Sequence, residues 1–359
     1  MSGQLDIIGL TADEVEAEAR RSVASGAGLA KTLYKDAVLR ARFEPEAHGL
    51  SARSAEAWRA RFRLVLPAVV RTVGEESLMG DDTVKAVLAF QDGLEVECVR
   101  IPMGQGRYTL CVSSQVGCKM GCGFCETAKM GFIRNLSAAE IVAQLVVARA
   151  VLGWEIRNIV FMGMGEPLDN PEGVLQALRV MHDRFGLSYG QPRLTICTSG
   201  RVDGLKRLAE LGFKRMDLSI SLNAAFDHKR DVLMPVNRKY PLAELQQALI
   251  EHPRREKFIY AINYCLLPGF NDAPEDARAV AEFVAPLGRA VVNVIPYNPG
   301  TQPLTRAPTE DEVVGFLDQL REHGVLVQRR VTKGRSVMAA CGQLGNLELR
   351  RHRSLPVAP

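Results

Sequence analysis

The sequence predicts an α/β fold: a partial (β/α)6 barrel of parallel strands and covering helices, preceded by a small N-terminal helical domain and a β-hairpin extension. Three observations carry this prediction. From Thr109 onward, six apolar strand-like segments alternate with helical segments, the pattern of a parallel sheet with right-handed crossovers. The residues of unusual chemistry fall in the loops after these strands, where a barrel places its active site. The chain has 359 residues, 47% hydrophobic and 24% charged, which is enough to bury a large core with a smaller companion.

Taken in order, residues 1–80 read as a helical accessory domain, charged and rich in alanine. Thr11 with Glu14 three positions on has capping-box spacing, and a second helical run starts at Ser51 and passes through Ala57 and Phe62. Residues 81–108 form the hairpin extension, with strands over 84–90 and 94–101 around the Asp92-Gly93 turn signal. The barrel, 109–300, takes strands over 109–113, 158–162, 193–198, 216–222, 258–266 and 290–296. Its helices are expected over 137–152, 171–185, 202–211, 242–251 and 274–287. Residues 301–359 supply a helix over 310–323, a short strand over 325–331, a cysteine-bearing loop and a loose tail from Ser354. No internal repeat or low-complexity segment stands out.

Composition narrows the function classes. Lys plus Arg number 45 against 41 Asp plus Glu, a net charge of +4, and no apolar run reaches the roughly 18 residues of a membrane span. The opening stretch carries acids where a secretion signal needs basic and then apolar residues, so a cytoplasmic protein without a membrane partner is expected. Between Arg329 and Arg353 stand seven basic residues (Arg329, Arg330, Lys333, Arg335, Arg350, Arg351, Arg353) and one acid, Glu348. Such a run is either a solvated face or part of a phosphate-binding surface.

The eight cysteines are the most informative residues. Cys118, Cys122 and Cys125 form a CxxxCxxC within eight positions. Three thiolates at this spacing can hold three irons of a cubane cluster and leave the fourth iron open to substrate. Zinc would want a fourth ligand, and no Cys or His follows closely enough to supply one. None of the six histidines shows ligand spacing. Gly163-Met164-Gly165-Glu166-Pro167 is a glycine turn followed by a carboxylate, able to let backbone approach an amino-acid moiety while Glu166 receives its ammonium; alone it is a weak motif. On residue type alone, Cys341 and Cys111 read as buried structural cysteines and Glu97 as a solvated strand glutamate. Cys98 and Cys265 lie in apolar strand patterns and read as core, and Met162, Met164 and Met216 as packing residues.

A CxxxCxxC after the first strand of a β/α barrel resembles the radical S-adenosylmethionine (SAM) superfamily. Further segments sharpen the likeness: 111–118 (CVSSQVGC), 131–136 (GFIRNL), 162–168 (MGMGEPL), 198–200 (TSG) and 339–344 (AACGQL). Together they resemble the RlmN/Cfr family of adenosine methyltransferases acting on large-subunit ribosomal RNA, over about residues 84–344. The resemblance implies one 4Fe-4S cluster on Cys118, Cys122 and Cys125, with SAM held by Gly165, Glu166, Cys197, Ser221, Leu222, Asn223 and Asn298. Two of these depart from the family, which usually carries Ser at the Cys197 position and His at the Asn223 position.

The chemistry implied by the resemblance fits the target. Adenine C2 and C8 are electron-poor, so direct methyl transfer would fail and a radical route is needed, with the cofactor doing the hard step. One SAM methylates Cys341 by displacement. A second yields a radical that takes hydrogen from that S-methyl group, and the carbon radical adds to the base. Glu97, in a segment resembling the one that carries the family's proton acceptor, removes the ring proton. Cys111 then attacks Cys341, forming a disulfide and releasing the product. The catalytic set is therefore Cys341, Glu97 and Cys111.

The expected substrate is 23S rRNA, with transfer RNA as a further candidate and C2 as the methylated carbon. C8 methylation, or a radical SAM enzyme with a non-RNA substrate, is the alternative. A reductant such as flavodoxin, a thiol reductant and a monomeric state complete the expectation. Lys333-Gly334-Arg335 reads as an RNA-facing loop, although the family usually has acidic residues within the stretch 335–338. Binding through phosphates should weaken with salt, and the base must leave its stack to reach the site.

Overall fold

The computed structural model of the chain describes residues 3–23, 25–75 and 82–346. At the N-terminus, β1 (Leu5–Asp6), α1 (Ala12–Ser22), α2 (Ala30–Arg40), α3 (Ala52–Arg61) and β2 (Phe62–Arg63) form a compact unit, with β1 and β2 paired in parallel. The Thr11–Glu14 capping box is present, and Ser51 caps α3 by accepting from the Ser54 amide. Each such cap is worth about 1 kcal/mol.

The helical reading of this region stops short of its expected end. Residues 68–75 are a strand, β3 (Ala68–Glu75), paired antiparallel with β4 (Thr83–Ala89). Val69, Val70 and Val73 explain it, since β-branched side chains suit a pleated surface with a strand partner to pack on. The hairpin itself is as expected: β4 pairs antiparallel with β5 (Glu95–Pro102). Its turn is closed by Gly93 at φ 76 and by the Leu94 amide donating to Asp92 Oδ1 at 3.1 Å.

From β6 (Tyr108–Cys111) the parallel region begins, interrupted at once by a small antiparallel pair, β7 (Gln115–Gly117) and, after the short helix α4 (Glu126–Met130), β8 (Phe132–Asn135). There follow α5 (Ala138–Val146), β9 (Ile156–Phe161), α6 (Pro171–His182), β10 (Leu194–Thr198), α7 (Val202–Glu210), β11 (Asp217–Ser221), α8 (Asp227–Leu233), α9 (Leu242–Glu251), β12 (Tyr260–Leu266), α10 (Pro274–Val284), β13 (Ala290–Pro296), α11 (Glu310–Glu322) and β14 (Val327–Arg329). The Ser137–Glu140 capping box starts α5, which widens into a π-turn over Val147–Val151. Pro171 at the first turn starts α6, where its missing N–H costs nothing.

One ten-stranded sheet runs in the order β14-β13-β12-β11-β10-β9-β6-β5-β4-β3. Its strands from β6 to β14 are parallel, and β5, β4 and β3 continue it antiparallel. The hairpin is thus continuous with the barrel sheet. The linear order leaves the barrel open, so its strand ends can line a cleft. Among the described residues no helix is long and apolar enough to cross a membrane. Of the basic run, Arg350, Arg351 and Arg353 lie outside the described residues, as do Glu348 and the tail from Ser354.

Candidate active site

The CxxxCxxC occupies a loop clamped by β7 and β8. At its neck Gly117 adopts φ 73, and a Cβ there would lie 1.8 Å from the Gly131 carbonyl oxygen. That oxygen accepts the Cys118 amide at 3.0 Å, and the Cys125 amide donates to the Cys122 carbonyl at 3.1 Å. The loop closes only with glycine at 117. Cys118, Cys122 and Cys125 then face one cleft at the C-terminal ends of the parallel strands. Burial pushes all three thiols up, and for Cys118 and Cys122 the neighbouring cysteines of the motif add to the effect.

Opposite stands the glycine–glutamate turn. A Cβ on Gly163 would meet the Val112 carbonyl oxygen at 2.7 Å, and one on Gly165, at φ 96, would meet Gln115 at 2.6 Å. Bare backbone is therefore what fits behind this wall. Glu166 is buried in the cleft lining; its carboxylate accepts the Leu168 amide at 3.0 Å and the Ser199 amide at 2.7 Å. Burial raises its pKa, and those donors oppose the rise. Beside it the buried Ser199 hydroxyl makes no well-formed hydrogen bond.

The third wall comes from strand ends. Cys197 Sγ lies 3.6 Å from Ser221 Oγ and receives Asn263 Nδ2 at 3.5 Å. Asn223 sits in the left-handed region at φ 58, which asparagine tolerates better than most residues; its Oδ1 accepts the Cys265 amide at 2.9 Å. Behind them the buried Arg230 donates to the carbonyls of Ser199, Leu222 and Ser221 and to Asn237 Oδ1. Burial lowers its pKa to about 10.

Cys341 is exposed and lines both this cleft and a neighbouring cavity. The loop carrying it is held from afar. Glu75 on β3 accepts the amides of Gly334 and Ser336 and the Ser336 hydroxyl at 2.5, 3.1 and 2.8 Å. Lys85 on β4 donates to the Met338 carbonyl at 3.0 Å and pairs with Glu97 on β5 at 3.1 Å, and Glu97 in turn accepts the Gly345 amide at 2.9 Å. From the barrel side the Glu126 amide reaches the Gly342 carbonyl at 2.8 Å, and Thr127 Oγ1 the Leu344 carbonyl at 2.6 Å.

Of the residues singled out in the sequence, Cys118, Cys122, Cys125, Gly165, Glu166, Cys197, Ser221, Asn223 and Cys341 share the cleft lining. Asn298 lines the neighbouring cavity with Cys341. Leu222 packs in the core and takes part through its carbonyl. Glu97 lies beneath the Cys341 loop, outside both linings. Cys111 is buried at the end of β6, its thiol pushed up by burial and then by Cys341 nearby. All eight cysteines are free thiols.

Cys265 and Cys98 are both buried core residues, as expected; Cys265 in addition lines the cleft, because the end of β12 opens onto it. Ser199, Asn263 and Arg330 also line the cleft; Ser199 stood out in the sequence only as part of the 198–200 motif, and Asn263 not at all. Arg330 could be seen only as one member of a basic run, and its neighbour Arg329 pairs with Glu310 instead.

Among the described residues no three acidic, histidine or cysteine side chains close on a single point as one metal ion would need. The fit of a cluster rests on donor chemistry. Three soft thiols converge where their anions are costly, and a positively charged cluster removes that cost. The cleft holds a cavity of about 170 Å³. Its glycine wall, buried carboxylate and Ser199 hydroxyl suit an amino-acid moiety.

Known proteins resemble this chain over most of its length. The radical SAM superfamily profile matches residues 112–284. A probable dual-specificity RNA methyltransferase RlmN 1 of Protochlamydia amoebophila is 44% identical over 77% of this chain and 77% of its own. A probable RNA methyltransferase of Sorangium cellulosum is 41% identical over 84% of this chain and 76% of its own. The crystal structure of a radical SAM methyltransferase from Sphaerobacter thermophilus superposes with a TM-score of 0.84 at 34% identity, covering 96% of this chain and 99% of that one. The chain belongs to the RlmN/Cfr family. In this RlmN/Cfr member, Cys197 and Asn223 are each hydrogen-bonded to β12, Cys197 by Asn263 Nδ2 and Asn223 by the Cys265 amide.

Proposed function

We propose that this protein methylates a ring carbon of adenosine in RNA, C2 of 23S rRNA first, with Cys341 as the methyl carrier. The observation that carries the reading is the meeting of Cys341 with the CxxxCxxC thiols and Glu166 on one cleft. The cluster that fits Cys118, Cys122 and Cys125 supplies, when bound, the single electron that breaks a carbon–sulfur bond of SAM. Glu166, the Gly163–Gly165 backbone and Ser199 hold the amino-acid end of SAM, and the strand ends at Cys197, Ser221 and Asn223 bound the rest.

Cys341, exposed on a loop that faces two cavities, takes a methyl group on the cleft side and presents it to a base entering the second cavity. Asn298 lies in that cavity, and the SAM role expected of it requires SAM to reach past Cys341. Glu97, paired with Lys85 beneath the same loop, accepts the ring proton once the loop yields its Gly345 contact. Cys111, close to Cys341, attacks the Cys341 sulfur: an S–S bond forms as the S–CH2 bond to the base breaks, the carbon keeps the electron pair and takes a proton to become the methyl group, and a thiol reductant reopens the disulfide. Flavodoxin-type electron delivery, cytoplasmic action as a monomer and transfer RNA as a second substrate belong to the same reading.

Peptide mass spectrometry of anaerobically purified protein tests it. The Cys341 peptide should carry one methyl group, absent in Cys341→Ala, and a 23S rRNA transcript should gain 2-methyladenosine. An unmodified Cys341 in active, SAM-replete enzyme overturns the carrier role. Appearance of 8-methyladenosine moves the assignment to C8, and an unmodified transcript in the presence of active cluster counts against the rRNA substrate.

A further inference from the structure

Arg330 is the basic residue among those lining the cleft, and it also lines the neighbouring cavity, so it stands with Cys341 at the partition between the two. Its main chain is fixed, the amide donating to the Val294 carbonyl on β13 at 2.9 Å. Its guanidinium, however, reaches only a weak acceptor, the Met162 thioether sulfur, at 3.7 Å from both terminal nitrogens. Among the described residues no carboxylate pairs with it, in contrast to Arg230, which has four oxygen acceptors, and Arg329, which has Glu310. Arg330 is half-buried, and a guanidinium partly removed from water without an anion is uncompensated.

We propose that Arg330 is a positioning residue that serves as counter-ion to the Cys341 thiolate while that sulfur accepts a methyl group. The groups that favour its cationic form are cysteines, Cys341 foremost, then Cys197 and Cys111; Glu166 lines the same cleft, and Arg329 and Lys333 line the second cavity. Cys341 itself faces Arg330, Cys111 and Cys265. The thiolate, not the thiol, is the nucleophile, and a cation beside Cys341 favours that form. In the methyl-transfer step the Cys341 sulfur forms a bond to the methyl carbon and the sulfonium S–CH3 bond breaks. Its electron pair stays on the departing thioether, and the proton lost from Cys341 has already gone to solvent. Once methylated, Cys341 is neutral and Arg330 is released toward the second cavity.

This inference rests on the carrier reading, but its test reads thiol reactivity rather than methyl transfer, so the two can fail separately. Full-length protein made in a cell-free system depleted of SAM, then loaded with iron and sulfide, is alkylated with iodoacetamide from pH 6 to 9. The Cys341 peptide is followed by mass spectrometry. Near neutrality Cys341 of Arg330→Gln should be alkylated roughly tenfold more slowly than that of the parent, and Arg330→Lys should keep most of the parent rate. An Arg330→Gln profile that matches the parent while iron content is unchanged overturns the proposal.

Discussion

Two cysteine loops meet in this molecule, and they are built in opposite ways. The CxxxCxxC loop is closed locally: Gly117 and Gly131 pass within contact at its neck, and β7 and β8 pair across fewer than two dozen residues. The Cys341 loop is held by side chains remote in sequence, Glu75, Lys85 and Glu97, which the antiparallel strands β3, β4 and β5 carry to it. The first depends on backbone geometry, the second on buried charge. A loop that keeps metal ligands in register needs rigidity. A loop that carries a group between two cavities needs contacts that can be exchanged.

Substitutions should separate the two. The largest effect is expected for Gly117→Ala, which places a methyl 1.8 Å from the Gly131 oxygen in a left-handed conformation; a loss of about 3 kcal/mol should appear in thermal unfolding, with iron uptake falling alongside. Unchanged iron binding would show that the neck does not set the ligand geometry.

Lys85→Met should cost a similar or slightly smaller amount, about 3 kcal/mol, because it strands Glu97 without its cation. Here iron uptake should survive while hydrogen exchange over 338–345 accelerates. Joint loss of iron and loop protection would erase the distinction between the loops.

Glu75 offers a gentler probe through pH. Burial opposes its ionisation, but the Gly334 and Ser336 donors outweigh burial and hold its pKa below the ordinary value. A carboxyl lowered by folding stabilises at neutral pH and loses that contribution as pH falls through its folded value. The Gly334 and Ser336 amide resonances should therefore stay constant from pH 7 to 5 and shift only below about pH 4; movement already at pH 6 would show that Glu75 is not their anchor. The smallest stability change belongs to Ser199→Ala, within about 0.5 kcal/mol because the hydroxyl makes no well-formed hydrogen bond. Its SAM affinity, measured by calorimetry, should fall by about 1 kcal/mol. Unaltered affinity would remove Ser199 from the SAM wall.

The sequence by itself determined the alternation of strands and helices, the three-cysteine loop, the glycine–glutamate turn and, through its motifs, the family. These are legible because each follows from spacing along the chain: periodicity, the capping box at Thr11, and ligands within one turn of loop. Tertiary structure alone decided that residues 68–75 join the sheet, that Cys265 faces the cleft, and that Arg330 leaves a basic run to stand unpaired beside Cys341. It also decided that Glu97 is paired with Lys85 beneath the carrier loop. Contacts between residues hundreds of positions apart depend on sheet order and on which face of a strand is turned inward, and a one-dimensional pattern of charges and apolar residues does not encode that pairing.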